Sequence, residues 1–275
     1  MPTKAIDTGT KHLLARVENG VAVFTLNRPE RRNAMTDTMW LALEQMLAQV
    51  ELDPEVKCVV LTGAGKGFCA GGDVKGMAEA GDEIMGDKTI DNAIHLQRVS
   101  QRGTAGKLFK MPKPTVASLQ GAAAGAGLSL ALACDLRVMA DTAIMMTAFA
   151  KVGLSGDYGG TYFMSQLVGS AKARELFFLS DRVSSEEALR LGLANWVVTE
   201  GELKAKTMEI ANRLANGPSV AFKYMKENLN RALGGYVDEC LDLEATHHIH
   251  TALTQDHRDA AVAFVEKREP IFKGH

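Results

Sequence analysis

Two short glycine-rich stretches carry the residue pattern most able to do chemistry: Phe68-Cys69-Ala70-Gly71-Gly72-Asp73 and Gly121-Ala122-Ala123-Ala124-Gly125-Ala126-Gly127. Each follows an apolar run and precedes a stretch able to form a helix. Small residues at such a place let a ligand come close to the backbone. The first N–H groups of a helix have no partner within it, and the helix start carries partial positive charge. Two such starts facing each other would hold a developing negative oxygen on two N–H donors, an oxyanion hole that needs no titratable side chain. Close packing of helix on strand explains these turns equally well. Nucleotide binding fits less well. Gly63-Ala64-Gly65-Lys66-Gly67 lacks the GxxxxGK[ST] spacing, and Phe68 and Leu130 stand where GxGxxG needs its third glycine.

Thiol and metal chemistry have weaker support. Cys58, Cys69, Cys134 and Cys240 form no CxxC pair and are read as buried free thiols. The run Thr246-His247-His248-Ile249-His250, with Glu244 nearby, lacks the HExxH spacing and is read as a polar helix face, so no metal is expected.

The elements that must position the two turns are legible in outline. His12–Val17 and Val21–Leu26 are β-rich runs joined around Glu18-Asn19-Gly20, a hairpin signal. Thr36 or Asp37 can cap a helix running to about Val50, with Met39, Leu43, Met46, Leu47 and Val50 on one face. Cys58–Thr62 reads as a strand covered on both sides, and residues 89–109 as one longer helix ended by Met111-Pro112-Lys113-Pro114. The order repeats: strand Thr115–Leu119, glycine-rich turn, helix through Ala133, then strands around Leu136–Met139 and Ala143–Met146. Four or five helices are expected in the remainder. Repeated strand–strand–helix units suggest stacked α/β turns, with the helical tail as a separate layer.

The chain has 275 residues, with 31 basic against 33 acidic side chains for a formal charge of −2. That balance lacks the electrostatic footprint of a general nucleic-acid binder. No apolar run approaches membrane-spanning length, and the opening residues carry no secretory-type apolar stretch. A cytoplasmic protein without nucleic-acid or membrane partners is expected.

Three motifs in order, Leu26-Asn27-Arg28-Pro29, Leu61-Thr62-Gly63-Ala64-Gly65-Lys66-Gly67-Phe68-Cys69-Ala70-Gly71-Gly72-Asp73 and Ala131-Leu132-Ala133-Cys134-Asp135-Leu136-Arg137, resemble the enoyl-CoA hydratase/isomerase (crotonase) family from about His12 to the end of the chain. The resemblance implies an α/β fold. This is a crotonase-like spiral of ββα turns over residues 1–200, holding CoA and the active site, with a helical C-terminal oligomerisation region over 201–275. It implies trimers or dimers of trimers, an acyl-CoA substrate, and no cofactor beyond the coenzyme A of that substrate. By position, the backbone N–H groups of Ala70 and Ala126 would form the oxyanion hole. Many relatives have glycine at the second place, a difference that backbone donation tolerates.

In hydratases of the family two glutamates activate a water; Ser129 and Phe149 stand at those places here, which disfavours a standard hydratase. Asp157 lies where some isomerases of the family carry an aspartate. The run Phe149-Ala150-Lys151-Val152-Gly153-Leu154 and the tail Asp256-His257-Arg258 resemble the isomerases of phenylacetyl-CoA breakdown. The implied reaction is a proton shift in which Asp157 takes a proton from the acyl chain and returns it two carbons away. The competing reading is that Asp157 only caps the helix beginning near Gly159. Ser129 either orients Asp157 or the substrate, or packs within its helix. The resemblance further implies substrate contacts after the Asn-Arg-Pro turn, as at Ala34, and at Phe68, Gly71, Gly72, Asp73 and Gly125 around the glycine turns; Arg31 and Arg32 could attract the CoA phosphates, or be no more than solvated basic residues at a helix approach. Phe149 and Tyr158 could accept an aromatic or long acyl chain, or pack in the core equally well, and the resemblance implies that Phe272-Lys273 reaches a neighbour's CoA. A pocket wall is expected around residues 77–89. Other reactions of the family (hydration with non-standard residues, hydrolysis, C–C cleavage, nucleophilic displacement) and a non-catalytic binding protein are the alternatives.

Overall fold

The computed structural model describes residues 3–80 and 89–275. Strand β1 (Lys4–Ile6) pairs antiparallel with β2 (Leu13–Glu18), which forms a hairpin with β3 (Val21–Leu26). Its two turn residues, Asn19 and Gly20, have φ of 51° and 76°, the mirror-image turn whose twist matches that of paired strands. Helix α1 (Asp37–Leu52) starts where the Thr36 side chain accepts the Met39 N–H, and it buries Met39, Leu43, Met46, Leu47 and Val50 together with Ala42. It packs on β2 and β3.

Strand β4 (Cys58–Gly63) continues the sheet in parallel with β3. The chain then turns into the short helix α2 (Val74–Ala80). The single helix expected over residues 89–109 is instead two, α3 (Ile90–Gly103) and α4 (Ala105–Lys110). The break is at buried Thr104, whose N–H and hydroxyl both turn back to the Ser100 carbonyl. Gly103 lies so close to α1 that a Cβ there would sit 2.5 Å from the Glu44 carboxyl carbon.

Strand β5 (Thr115–Leu119) is buried along its whole length. It leads through β6 (Ala123–Ala124) into α5 (Ala126–Ala133), β7 (Leu136–Ala140) and β8 (Ile144–Met146). Six helices and two strands follow: α6 (Gly160–Leu179, interrupted at Gly169), β9 (Val183–Ser184), α7 (Ser185–Arg190), β10 (Trp196–Val198), α8 (Leu203–Ala215), α9 (Ser219–Ala232), α10 (Val237–Ala252) and α11 (Gln255–Glu266). The main sheet runs β1-β2-β3-β4-β5-β7-β10 and a smaller one β6-β8-β9. Helix α8 lies on β3, β4, β5 and β7, and Thr207 of α8 shares a hydrogen bond of 2.9 Å with Ser118 of β5. The four strands absent from the sequence reading, β1, β6, β9 and β10, are two or three residues long, too short to show a period.

Three of the four cysteines are buried as expected, and burial pushes the thiols of Cys58, Cys69 and Cys134 up to about 12. Cys240 is only half-buried, because α10 turns a single residue, His247, fully inward. That residue also corrects the reading of residues 246–250 as a purely polar face. Its Nδ1 lies 2.5 Å from Asn228 Oδ1, and its ring packs on Tyr224. No group of three metal-ligating side chains is found among the described residues.

Candidate active site

The two glycine turns run side by side. The Cys69 N–H donates to the Ala122 carbonyl and the Ala124 N–H to the Cys69 carbonyl, at 3.1 and 2.9 Å. Only glycine fits the closest approach: Gly71 has φ of +94°, and a Cβ on it would lie 2.9 Å from the Ala124 carbonyl and 3.3 Å from the Ala126 nitrogen. Ala126 opens α5 behind Gly125, so its N–H has no partner within the helix.

The other donor is not the one expected. The Ala70 N–H donates to the Arg32 carbonyl at 3.0 Å and is already engaged. The Gly71 N–H is turned to the Cys69 sulfur. The Gly72 N–H has no acceptor among the described residues, and Gly72 lines the same cavity as Ala126. Gly72 is therefore the first turn's candidate donor to the cavity. Counting motif positions does not reveal which way each amide points.

The cavity these turns enclose has a volume of about 520 Å³. Its wall beyond Gly125 and Ala126 is apolar, from Ile144, Met146, Phe149, Val152 and Leu154, and three cations, Arg32, Lys66 and Arg182, line it as well. Asp157 is the one carboxylate among the described lining residues. Its Oδ1 is buried without a hydrogen-bond partner among the described residues, and desolvation pushes the carboxyl up to about 6, as for any carboxylate taken out of water without a counter-charge. The capping reading does not hold. Gly159 occupies the N-cap of α6 with no side-chain cap bond, and it is the backbone carbonyl of Asp157 that accepts the Gly160 N–H, at 3.0 Å.

Of the other expected site residues, Arg32, Gly71, Gly72, Gly125 and Phe149 line the cavity. Phe149 is stacked on Phe177 at 5.9 Å. Ser129 is not on the cavity wall. It is 1% exposed, its hydroxyl turns back to the Gly125 carbonyl at 3.3 Å, and Gly160 sits directly over it. Phe68 is fully buried in the core. Asp73 pairs with Arg28 at 3.0 Å and accepts the Gly76 N–H; that bond and the guanidinium hold its carboxyl below the usual carboxylate range. Its role here is to tie the Arg28-Pro29 turn to the start of α2. Ala34 is buried off the cavity, its carbonyl taken by Arg28, and Arg31 is exposed outside it. Phe272 and Lys273 lie away from this chain's own cavity, where buried Asp256 accepts the Lys273 and Gly274 N–H groups at 2.6 and 2.8 Å. Of the wall expected around residues 77–89, residues 81–88 lie outside the described residues.

The sequence reading missed Lys66 and Arg182. Lys66 stands inside the second motif and was weighed there only as part of a phosphate loop. Arg182 reaches the cavity because β9 pairs with β8, a pairing of two-residue reach that leaves no sequence signal.

An α/β fold with a helical C-terminal region, in which two glycine turns run side by side along one cavity, is that of an acyl-CoA enzyme of the crotonase type. The enoyl-CoA hydratase/isomerase family profile matches residues 16–275, and the chain belongs to that family. It is 37% identical to 1,2-epoxyphenylacetyl-CoA isomerase of Escherichia coli (strain K12) over 268 residues, covering 95% of this chain and 98% of that one. It is 35% identical to short-chain-enoyl-CoA hydratase of Clostridium acetobutylicum over 259 residues, 94% of this chain and 96% of that one. The crystal structure of an enoyl-CoA hydratase from Polaromonas sp. JS666 superposes with a TM-score of 0.85 at 31% identity, covering 95% of this chain and 99% of that chain. No helix is long and apolar enough to cross a membrane among the described residues.

Proposed function

We propose that this family member is an acyl-CoA isomerase in which Asp157 carries the migrating proton. The observation supporting this most directly is the Asp157 carboxylate, whose Oδ1 has no hydrogen-bond partner and which is the one acid among the described residues lining a cavity otherwise walled by apolar side chains, cations and the two glycine turns. The thioester oxygen accepts the N–H groups of Gly72 and Ala126, which stabilises the enolate and makes the neighbouring C–H acidic enough for a carboxylate. Asp157 takes that proton and returns it two carbons away, so the double bond shifts and the carboxylate is regenerated. A carboxyl raised to about 6 is basic enough to accept the proton and acidic enough to return it. No water is consumed and no cofactor is required beyond the coenzyme A of the substrate, whose phosphates suit Arg32, Lys66 and Arg182.

The places where a hydratase holds its two glutamates support the same reading. One is Ser129, turned into its own helix; the other is Phe149, which lines the cavity. Likeness to the Escherichia coli enzyme named for an epoxide substrate extends the proposal to ring rearrangement of an aromatic acyl group. Likeness to the Clostridium hydratase supports a second reading, hydration by non-standard residues. We further place the enzyme in the cytoplasm and assign it a trimer or dimer of trimers.

Product analysis separates the readings. Incubated with a β,γ-enoyl-CoA, with crotonyl-CoA and with a saturated acyl-CoA, the enzyme is expected to move the double bond of the first without forming hydroxyacyl-CoA from any of them. Asp157→Asn should abolish that turnover while leaving acyl-CoA binding largely intact. Hydroxyacyl-CoA as the main product would establish the hydratase reading instead.

A further inference from the structure

The direction of the Asp157 carboxylate depends on the residue after it. Tyr158 has φ of 48°, a left-handed conformation that a bulky side chain enters only when its surroundings over-determine it. Its neighbours Gly156 and Gly159 have φ of 111° and 77°. Three of the four residues in 156–159 thus have a positive φ, which favours glycine, and the two glycines have no side chain by which the loop could be held. Tyr158 supplies that hold. Its ring stacks on Trp40 of α1 with centroids 3.9 Å apart and planes 6° from parallel. Its hydroxyl lies 3.1 Å from Ser100 Oγ of α3. Its backbone N–H donates to Gln101 Oε1 of α3 at 2.8 Å. The side chain is 4% exposed and points away from the cavity that Asp157 lines.

We propose that Tyr158, gripped by Trp40, Ser100 and Gln101, is the positioning residue that aims the Asp157 carboxylate at the acyl chain. Returning Tyr158 to an ordinary extended or helical φ would move its ring off Trp40, separate its hydroxyl from Ser100 and leave its buried N–H without the Gln101 acceptor at once. Such an N–H must be paired when it lies away from water. The loop therefore has one supported conformation, and Asp157 is carried in it. Helices α1 and α3, which contribute no side chain to the cavity among its described lining residues, act on the reaction through this contact.

The inference rests on the reading of Asp157 as the proton carrier, and steady-state kinetics on the isomerised substrate test the two separately. Tyr158→Gly removes the grip while making the backbone conformation easier, and Gln101→Leu removes only the acceptor of the Tyr158 N–H. Both are expected to lower kcat by about 30- to 100-fold with KM changed less than about twofold, since misplacing a catalytic group by an ångström costs on that order. Tyr158→Phe keeps the stack and the backbone bond, and should stay within about threefold of the parent kcat, the effect of one neutral hydrogen bond. Thermal melting of each variant monitors the fold, and Gln101→Leu carries the test if Tyr158→Gly does not fold. Parent-like kcat in Tyr158→Gly or Gln101→Leu, with Asp157→Asn inactive, would overturn the positioning role alone. A drop in kcat matched by the same loss of substrate affinity would overturn it too, as a general structural effect. Full turnover by Asp157→Asn would remove the proton-carrier reading and this inference with it.

Discussion

The Asp157 carboxyl has opposite consequences for activity and for stability. Burial without a counter-charge raises its pKa from the model-peptide value of 3.8 to about 6. The native state therefore holds this proton more tightly than the unfolded chain does. Between pH 4 and 6 the native protein loses a proton the unfolded chain has already lost, so stability falls as pH rises through that window and is constant above it. Asp157→Asn removes the buried charge. The variant is expected to melt several degrees above the parent at pH 8, with the gap closing by pH 4. Activity runs the other way: the base must be ionised, so kcat/KM should fall about tenfold per pH unit below about pH 6. A variant that melts at or below the parent temperature at pH 8 would show that the carboxylate is solvated or paired. At this scale the sequence disclosed much. Gly71 and Gly125 were visible as glycines in turns ahead of helices, while Ala126 and Asp157 were singled out only through the family resemblance. The choice of Ala70 over Gly72 and the placement of Ser129, Phe68 and Asp73 were not, because each turns on where an amide or side chain points within a turn.

Elements long enough to show a period were legible, and so was the reason for their ends. Helix α1 has its threonine cap and its apolar stripe, and the β2–β3 hairpin its Asn-Gly turn. What the pattern does not encode is how one layer is fastened to another. Helix α9 buries one residue, and it is a lysine. Lys226 Nζ reaches Asp135 at 2.8 Å and the carbonyls of Leu108 and Lys113 at 2.9 and 3.1 Å, while Asp135 in turn accepts the backbone N–H and hydroxyl of Thr115. This one ammonium joins α9 to the end of α4, to the loop before β5 and to the loop before β7. Lys226→Met removes the charge and leaves Asp135 with Thr115 alone. Breaking a buried pair by deleting one partner typically costs about 3–5 kcal/mol. The expected result is a loss of that order in urea unfolding, with the products of the reaction unchanged. A loss under about 1 kcal/mol would mean that water replaces the ammonium.

For the whole molecule, the C-terminal helices are inverted relative to an ordinary surface helix. The residues that α9, α10 and α11 bury are Lys226, His247, Asp256 and Ala263. Large apolar side chains on or beside them face outward: Leu229 is 69% exposed, Tyr236 at the N-cap of α10 80%, Phe264 86% and Val265 79%. A soluble helix normally puts its apolar stripe inward, and a concentration of exposed apolar side chains marks a surface that another chain covers. The tail beyond α11 is not loose, since Asp256 holds its backbone at Lys273 and Gly274, so Phe272 and Lys273 are presented in a fixed arrangement. These features fit assembly of like chains through the helical region. The sequence carried this only as a property of the family, because outward-facing apolar residues read in a sequence as part of the core. The protein is expected to sediment at micromolar concentration as a trimer or a multiple of one. Phe264→Glu, placed on the most exposed of these aromatic side chains, should shift it toward the 29.6 kDa chain while leaving its circular dichroism intact. A parent protein that sediments as a single chain would refute the assembly. A trimer indifferent to Phe264→Glu would move the contact to other apolar residues of α9 and α10.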